Sequence, residues 1–458
     1  MHKKDYGFLP YALVNTAAYL PYILFYIIGK TVYSNELALL PMLVFYIFRY
    51  SGTFLLGSFD IFDQRSAQSL LRYSMIGCAF SCFLGFLTPF HPYFLLSCAT
   101  IFGICSSVQT PLYTAMRMRQ KKDLPIADSK NYLRNTAITI ATIFPLFALL
   151  TYAGFSRFSA LLYGILYICS YFIIPIPTEH TPMSQFKPHR VVIHWDFLAL
   201  FLLTALLLFF AKSTQFQVGN TTFILALFFF LTFPIFIPLL SSKIKKKNYF
   251  EPEIFYIVAL NGAIVNLFFL YGSAYSLTFH SLFFLIYSIY LSYFIGMLIA
   301  YSVGDRLLKK LYFPNQVLFL VALNFIALLF LNVGPIIWIS GLFIGFSSTI
   351  FLKRFHAHIA KKTDENLDLS ILLINRWGKI GSIFNQTFLL LLLTLLINVF
   401  NIQGAPLALI LTGNVVGSVI PIQHLLQAAV AISSIIYTIA LVIWYSRLRI
   451  DLRTSLLE

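Results

Sequence analysis

Acidic side chains are scarce in this chain. Sixteen Asp and Glu stand against 32 Lys and Arg, and charged residues of both signs make up only 10% of the sequence. Soluble domains carry about 25% charged residues, so a water-facing globular surface is excluded for most of the chain. There are five cysteines (Cys78, Cys82, Cys98, Cys105 and Cys169), and none has Cys-x-x-Cys spacing. That excludes a disulfide framework and a thiolate metal site, and marks the thiols as small apolar residues of the interior. The Gly29-Lys30-Thr31 triplet lacks the upstream glycine of a phosphate-binding loop. His356 and His358 flank a basic loop without further ligands. Catalysis within a membrane needs paired acids, a histidine cluster or a metal set at depth, and the sequence offers none. The expectation is a protein that is not an enzyme, with no cofactor and no bound metal. A net charge of +16 suggests nucleic acid when a soluble protein carries it. Here the excess is spread over many short loops, so no nucleic-acid partner is expected.

Apolar length takes the place of what is missing. Hydrophobic residues make up 59% of the chain, and a hydrocarbon core about 30 Å thick requires roughly 20 apolar residues per helix. Fourteen segments qualify: 8 to 29, 37 to 58, 71 to 90, 93 to 115, 133 to 154, 158 to 176, 196 to 212, 221 to 240, 253 to 274, 281 to 303, 315 to 332, 335 to 352, 371 to 398 and 426 to 446. The expected fold class is therefore all-α, a polytopic membrane protein with 14 transmembrane helices. Lys3 and Lys4 precede the first run, which exceeds 20 residues and has no small-residue cleavage site, so it is expected to remain as a span.

Reading the spans as alternating, with the N-terminus inside, puts all but four of the 32 Lys and Arg in or beside cytoplasmic segments. Lys30, Arg157 and Lys212 face out, and Arg49 lies within span 2. Cytoplasmic loops of membrane proteins are enriched in Lys and Arg. One span more or fewer would flip every later loop, so the asymmetry predicts a multi-pass protein of the cytoplasmic (inner) membrane with both termini in the cytoplasm.

An offset of 242 residues overlays span 1 on span 9, the loop Asp63-Gln-Arg65 on Asp305-Arg306-Leu-Leu-Lys309-Lys310, and Arg134 on Arg376. Spans 7 and 8 have no counterpart. The layout is two six-helix pseudo-repeat bundles plus two extra central helices: 1–176 as the N-terminal bundle, 177–252 as linker and extra hairpin, and 253–458 as the C-terminal bundle. This arrangement resembles the major facilitator superfamily, in particular its fourteen-span drug and proton antiporters. Asp305-Arg306-x-x-Lys309-Lys310 is similar to that superfamily's loop signature, with Leu308 in place of glycine, and His194-Trp195-Asp196 is similar to the entry of the extra hairpin. The first-half loop keeps only Asp63, and Ala99 and Ala12 stand where the family tends to carry an arginine and an acid.

The resemblance implies an alternating-access transporter exporting a small molecule, with spans 1, 4, 9 and 13 lining its path. Every acid sits in a loop or at a span end, so the buried carboxylate that usually carries protons is missing. Proton coupling through peripheral acids, His280 or His424, a facilitated path, and lipid translocation all fit this pattern. A sensor or scaffold that moves nothing is the other class of reading. Arg49 lies near the middle of span 2, and an arginine at that depth points to an anionic or phosphate-bearing group. The bland alternative is an arginine bonded to carbonyls or to Asp60. The expected substrate contacts are Arg49, Asn15, Tyr19, Gln109, Asn261, Asn266, Tyr290 and Asn385, with helix-to-helix bonding the competing reading for the amides. With 17% aromatic residues, the path suits an amphiphilic solute. Asp63 with Arg376, and Asp305 with Arg134, are the expected latches on the cytoplasmic face, with Arg306 beside Asp305 among the gate residues; independent surface charges are the alternative. The expected partners are a small-molecule substrate, the bilayer and protons as a coupling ion, and the expected state is a monomer.

Overall fold

The computed structural model describes residues 8–17, 20–33, 39–59, 67–123, 156–174, 193–213, 220–246, 252–280, 284–309, 313–362, 367–400 and 419–454. The elements are almost entirely helical: α1 (Phe8–Thr16), α2 (Leu20–Val32), α3 (Leu40–Gly57), α4 (Ala67–Phe86), α5 (Tyr93–Ser106), α6 (Gln109–Asp123), α7 (Ser156–Ile173), α8 (Trp195–Ser213), α9 (Asn220–Lys246), α10 (Pro252–Phe279), α11 (Leu285–Gly304), α12 (Phe313–Leu331), α13 (Ile337–Lys362), α14 (Leu367–Val399) and α15 (Val419–Thr454). One isolated bridge, Phe59 with Ile193, is the only β pairing among the described residues. Hydrocarbon offers no hydrogen bonds to a bare backbone, so helices, which satisfy theirs internally, follow directly from the long apolar runs.

Among the described residues nine helices are long and apolar enough to cross a membrane. The pair α1 and α2, bent by 53°, makes a tenth, and Arg157–Ile173, Thr221–Ile235 and Leu318–Leu331 are shorter apolar helices. Each expected span coincides with one of these except the fifth, 133 to 154, which lies outside the described residues. The break in span 1 has a local cause. Pro21 has no N–H for the carbonyl four residues back, that of Ala17, and its ring crowds that position.

Outward faces are strongly apolar. Phe80, Phe172, Phe228, Ile435, Ile439 and Val442 are each more than half exposed. Exposed apolar side chains in such number are unstable in water and are what lipid requires. Exposure here means contact with hydrocarbon, so Cys169, expected in the interior, is exposed without penalty, and Cys105 is half-buried. Buried hydroxyls return to their own helix, as Ser51 does to the Ile47 carbonyl (2.8 Å), Thr204 to Leu200 (2.8 Å) and Ser433 to Ala429 (2.8 Å).

The chain forms two compact units, Met1–Ala205 with Thr363–Leu373, and Leu206–Lys362 with Ile374–Glu458. The same helix neighbours recur inside each. In the first unit α2 packs on α3, α1 on α6 and α7, α3 on α5, and α4 on α5 and α7. In the second, α10 packs on α11, α13 and α15, α11 on α13, and α12 on α13 and α15. At the offset of 242 the pairs α3–α5, α4–α5 and α1–α6 fall on α11–α13, α12–α13 and α10–α13, whereas α7 and α15 have comparable neighbours without lying at that offset. A pair of glycines shows it in detail. A Cβ on Gly103 would lie 2.9 Å from the Phe45 carbonyl oxygen, and one on Gly345, 242 residues later, would strike the Tyr293 carbonyl. The equivalent helix pair in each unit is thus held at backbone contact by a residue with no side chain.

Helices α10 and α14 run parallel. Phe255 stacks near Trp377 (5.3 Å), a Cβ on Gly381 would meet the Ala259 carbonyl, Ser382 donates to the Gly262 carbonyl (3.0 Å), and Asn385 bonds Asn266. Both numbers rise together along this seam. Helix α8 packs on α3 through Phe201 and Phe48 (6.2 Å), and α9 packs on α14 through Phe230 and Phe384 (5.1 Å).

Candidate functional site

In the first unit the intramembrane arginine is held in place by the helix break. Arg49 Nη1 donates to the Ala17 carbonyl at 2.8 Å, the carbonyl that Pro21 leaves without its helical donor. The guanidinium also lies over the rings of Tyr22 (5.7 Å) and Phe45 (5.9 Å). Asn15, two residues before Ala17, donates to the Tyr11 carbonyl of its own helix at 2.8 Å. Tyr19 lies outside the described residues.

Gln109 is fully buried and belongs to a different group. Its Nε2 donates to Cys78 Sγ (3.2 Å), and its Oε1 accepts a long bond from the Tyr167 hydroxyl (3.5 Å). The chain continues from Tyr167 to Tyr163 (3.4 Å) and from Tyr163 to Thr16 (3.2 Å), and every member is at most 2% exposed. Phe102 stacks on Tyr163 (5.8 Å) and meets Tyr167 edge-on (5.6 Å). Both ends of this chain are closed, so it ties α1, α4, α6 and α7 together. Replacing Gln109 with Leu should cost about 1–2 kcal/mol for the weakened bonds. The expected result is a modest drop in thermal midpoint with transport intact, and a specific loss of transport would instead put Gln109 on the substrate path.

In the second unit Asn266 and Asn385 come together. Asn385 Nδ2 donates to Asn266 Oδ1 at 2.8 Å, and Asn385 Oδ1 accepts from the Tyr437 hydroxyl at 2.6 Å. Asn385 is fully buried and Tyr437 3% exposed, whereas Asn266 is half-buried. Nothing in the sequence singles out Tyr437, which sits in an aliphatic run of α15. The one available signal was that a hydroxyl in lipid must find a partner. Asn261 is buried, and its Oδ1 has no partner among the described residues. Tyr290 is 42% exposed and packs against Phe269 (5.7 Å).

Of the gate residues, Arg376 is 2% exposed inside α14 beside the buried Trp377. Arg306 is exposed on the short helix Asp305–Lys309. Asp63, Arg134 and the side chain of Asp305 lie outside the described residues. No cluster of three or more His, Cys, Asp or Glu that could hold a metal occurs among the described residues.

No family model and no curated protein matches the chain. Solved structures do. The human organic anion transporter MFSD10 (TETRAN) is 14% identical, with a TM-score of 0.52 over 95% of this chain and 97% of that one. An auto-inhibited peptide transporter of the POT family is 11% identical, with a TM-score of 0.51 over 96% of this chain and 97% of that one. At such identities the likeness is one of fold, and it runs the length of the chains. The chain is therefore a polytopic, all-α membrane protein whose fold is like that of these two transporters along its whole length.

Proposed function

We propose that this protein is an alternating-access secondary transporter that exports an amphiphilic, anionic small molecule across the cytoplasmic membrane, with both termini in the cytoplasm. The observation that carries the reading is the end-to-end likeness in fold to transporters, one of which is described as moving organic anions. Arg49 supports the anionic preference. A guanidinium has five N–H donors in a fixed fork that suits carboxylates and phosphates, and here it sits in the middle of an apolar helix where charge is costly to keep. The ring-lined surroundings of Arg49 suit the apolar part of the solute. The Lys and Arg asymmetry supports the orientation, and the resemblance to drug antiporters supports the direction.

The test is reconstitution. Purified protein in vesicles should move a labelled amphiphilic organic anion, and Asp305→Asn should reduce that movement about tenfold or more, by loss of a charge-assisted latch, while the protein still inserts. Vesicles that move no such anion would leave a lipid translocase or a sensor in its place. Full activity in Asp305→Asn would remove the latch.

A further inference from the structure

The hydrogen-bonded row Tyr437, Asn385, Asn266 has a direction, and that direction dictates what its open end can bind. Tyr437 is 3% exposed, and its hydroxyl has one partner among the described residues, Asn385 Oδ1, at 2.6 Å. A buried O–H donor left without an acceptor costs about 1–3 kcal/mol. The tyrosine therefore holds the Asn385 amide with its oxygen toward the ring and its nitrogen toward Asn266. That nitrogen donates to Asn266 Oδ1 at 2.8 Å, which in turn leaves Asn266 Nδ2 pointing away from the row. Asn266 is half-buried, and its Nδ2 has no partner among the described residues. The reverse arrangement, with both amides flipped, would strand the tyrosine donor in a dry interior. The row in the first unit is closed by Thr16 at one end and Cys78 at the other, so only the row in the second unit ends in an open group.

We infer that Asn266 is a donor-only ligand site that selects solutes presenting an acceptor oxygen, a carboxylate or carbonyl, and that Tyr437 is the positioning residue that sets this polarity through Asn385. The inference rests on the transporter reading for its biological role, but binding alone tests it. The probes are benzoate and benzylammonium, matched in size and aromatic body, titrated calorimetrically into the purified full-length chain in detergent.

The wild-type protein should prefer benzoate by about tenfold or more. Tyr437→Phe removes the donor without changing charge or shape, frees the amide pair to flip, and should bring the two affinities to within about threefold. Asn266→Asp puts an acceptor-only group at the same place and should invert the preference. This second variant decides the matter if Tyr437→Phe does not fold. An unchanged ratio in both variants, an equal loss for both probes, or wild-type protein that binds neither probe at about 10 mM would overturn the inference. A polarity switch in protein that transports nothing would remove the exporter and leave the site standing.

Discussion

Gly381→Val is expected to abolish the folded protein, while Gly378→Ala three residues earlier is expected to be tolerated. The two glycines lie on the same helix, α14, in the same apolar surroundings, so propensity and composition do not separate them. What separates them is the neighbour each would strike. A Cβ at 381 falls on the Ala259 carbonyl of α10, which is backbone and cannot rotate away. One at 378 meets the Val258 Cγ1 methyl at 3.7 Å, an ordinary contact. Adding volume to a packed interface costs about 1–3 kcal/mol, and more where no side chain can yield. The displaced seam would also pull apart the Ser382 bond to the Gly262 carbonyl and the Asn385 bond to Asn266. Gly378→Ala, by contrast, should gain about 0.5–1 kcal/mol of helix stability. Size-exclusion profiles and thermal midpoints in detergent read both. A stable, monodisperse Gly381→Val protein would show that α10 and α14 do not meet at their backbones.

Arg49→Ala should lower transport of the anion about 10- to 100-fold and destabilise the protein by about 1.5–3 kcal/mol, the range for a hydrogen bond to a charged group. Two roles are combined in that residue, and Pro21 separates them. Pro21→Ala restores an N–H four residues after Ala17, so the Ala17 carbonyl regains a helical donor and needs the guanidinium less. In the Pro21→Ala background the stability cost of Arg49→Ala should therefore shrink, giving a coupling energy of about 1 kcal/mol in a double-mutant cycle. Arg49→Lys keeps the charge but loses the fork, and it should fall between wild type and alanine in transport. Additive stability effects of the two changes would mean that Arg49 does not cap the broken helix. Undiminished anion transport in Arg49→Ala would take the residue out of the substrate's path.

How far the sequence could be read depended on the kind of question. Arg49 stood out because a lone cation in an apolar run is rare whatever its neighbours are. The bond it makes was readable only in outline, since Pro21 announces a free carbonyl but not which side chain will fill it. Asn266 and Asn385 each stood out as amides in lipid, yet they lie 119 residues apart, and only the parallel seam of α10 and α14 shows that each is the other's partner. Gln109 stood out on the same grounds and turned toward Cys78 and Tyr167. Tyr437, in the run Ile435-Ile436-Tyr437, looked like any other membrane aromatic until its hydroxyl was seen 2.6 Å from Asn385.

The sequence by itself determined where the helices run and that they belong in a membrane. Both follow from local requirements, an apolar length matched to the bilayer and a backbone that must bond within its own segment. Only the tertiary structure decided which face of each helix turns inward. In lipid the outside is as apolar as the core, so these helices carry no polar stripe to mark the solvent side. Cys169 on the outer face and Cys78 in the interior are the same residue type in similarly greasy runs. Glycine contacts and hydrogen bonds between distant amides and hydroxyls settled the arrangement, and those depend on shape and on partners more than a hundred residues away.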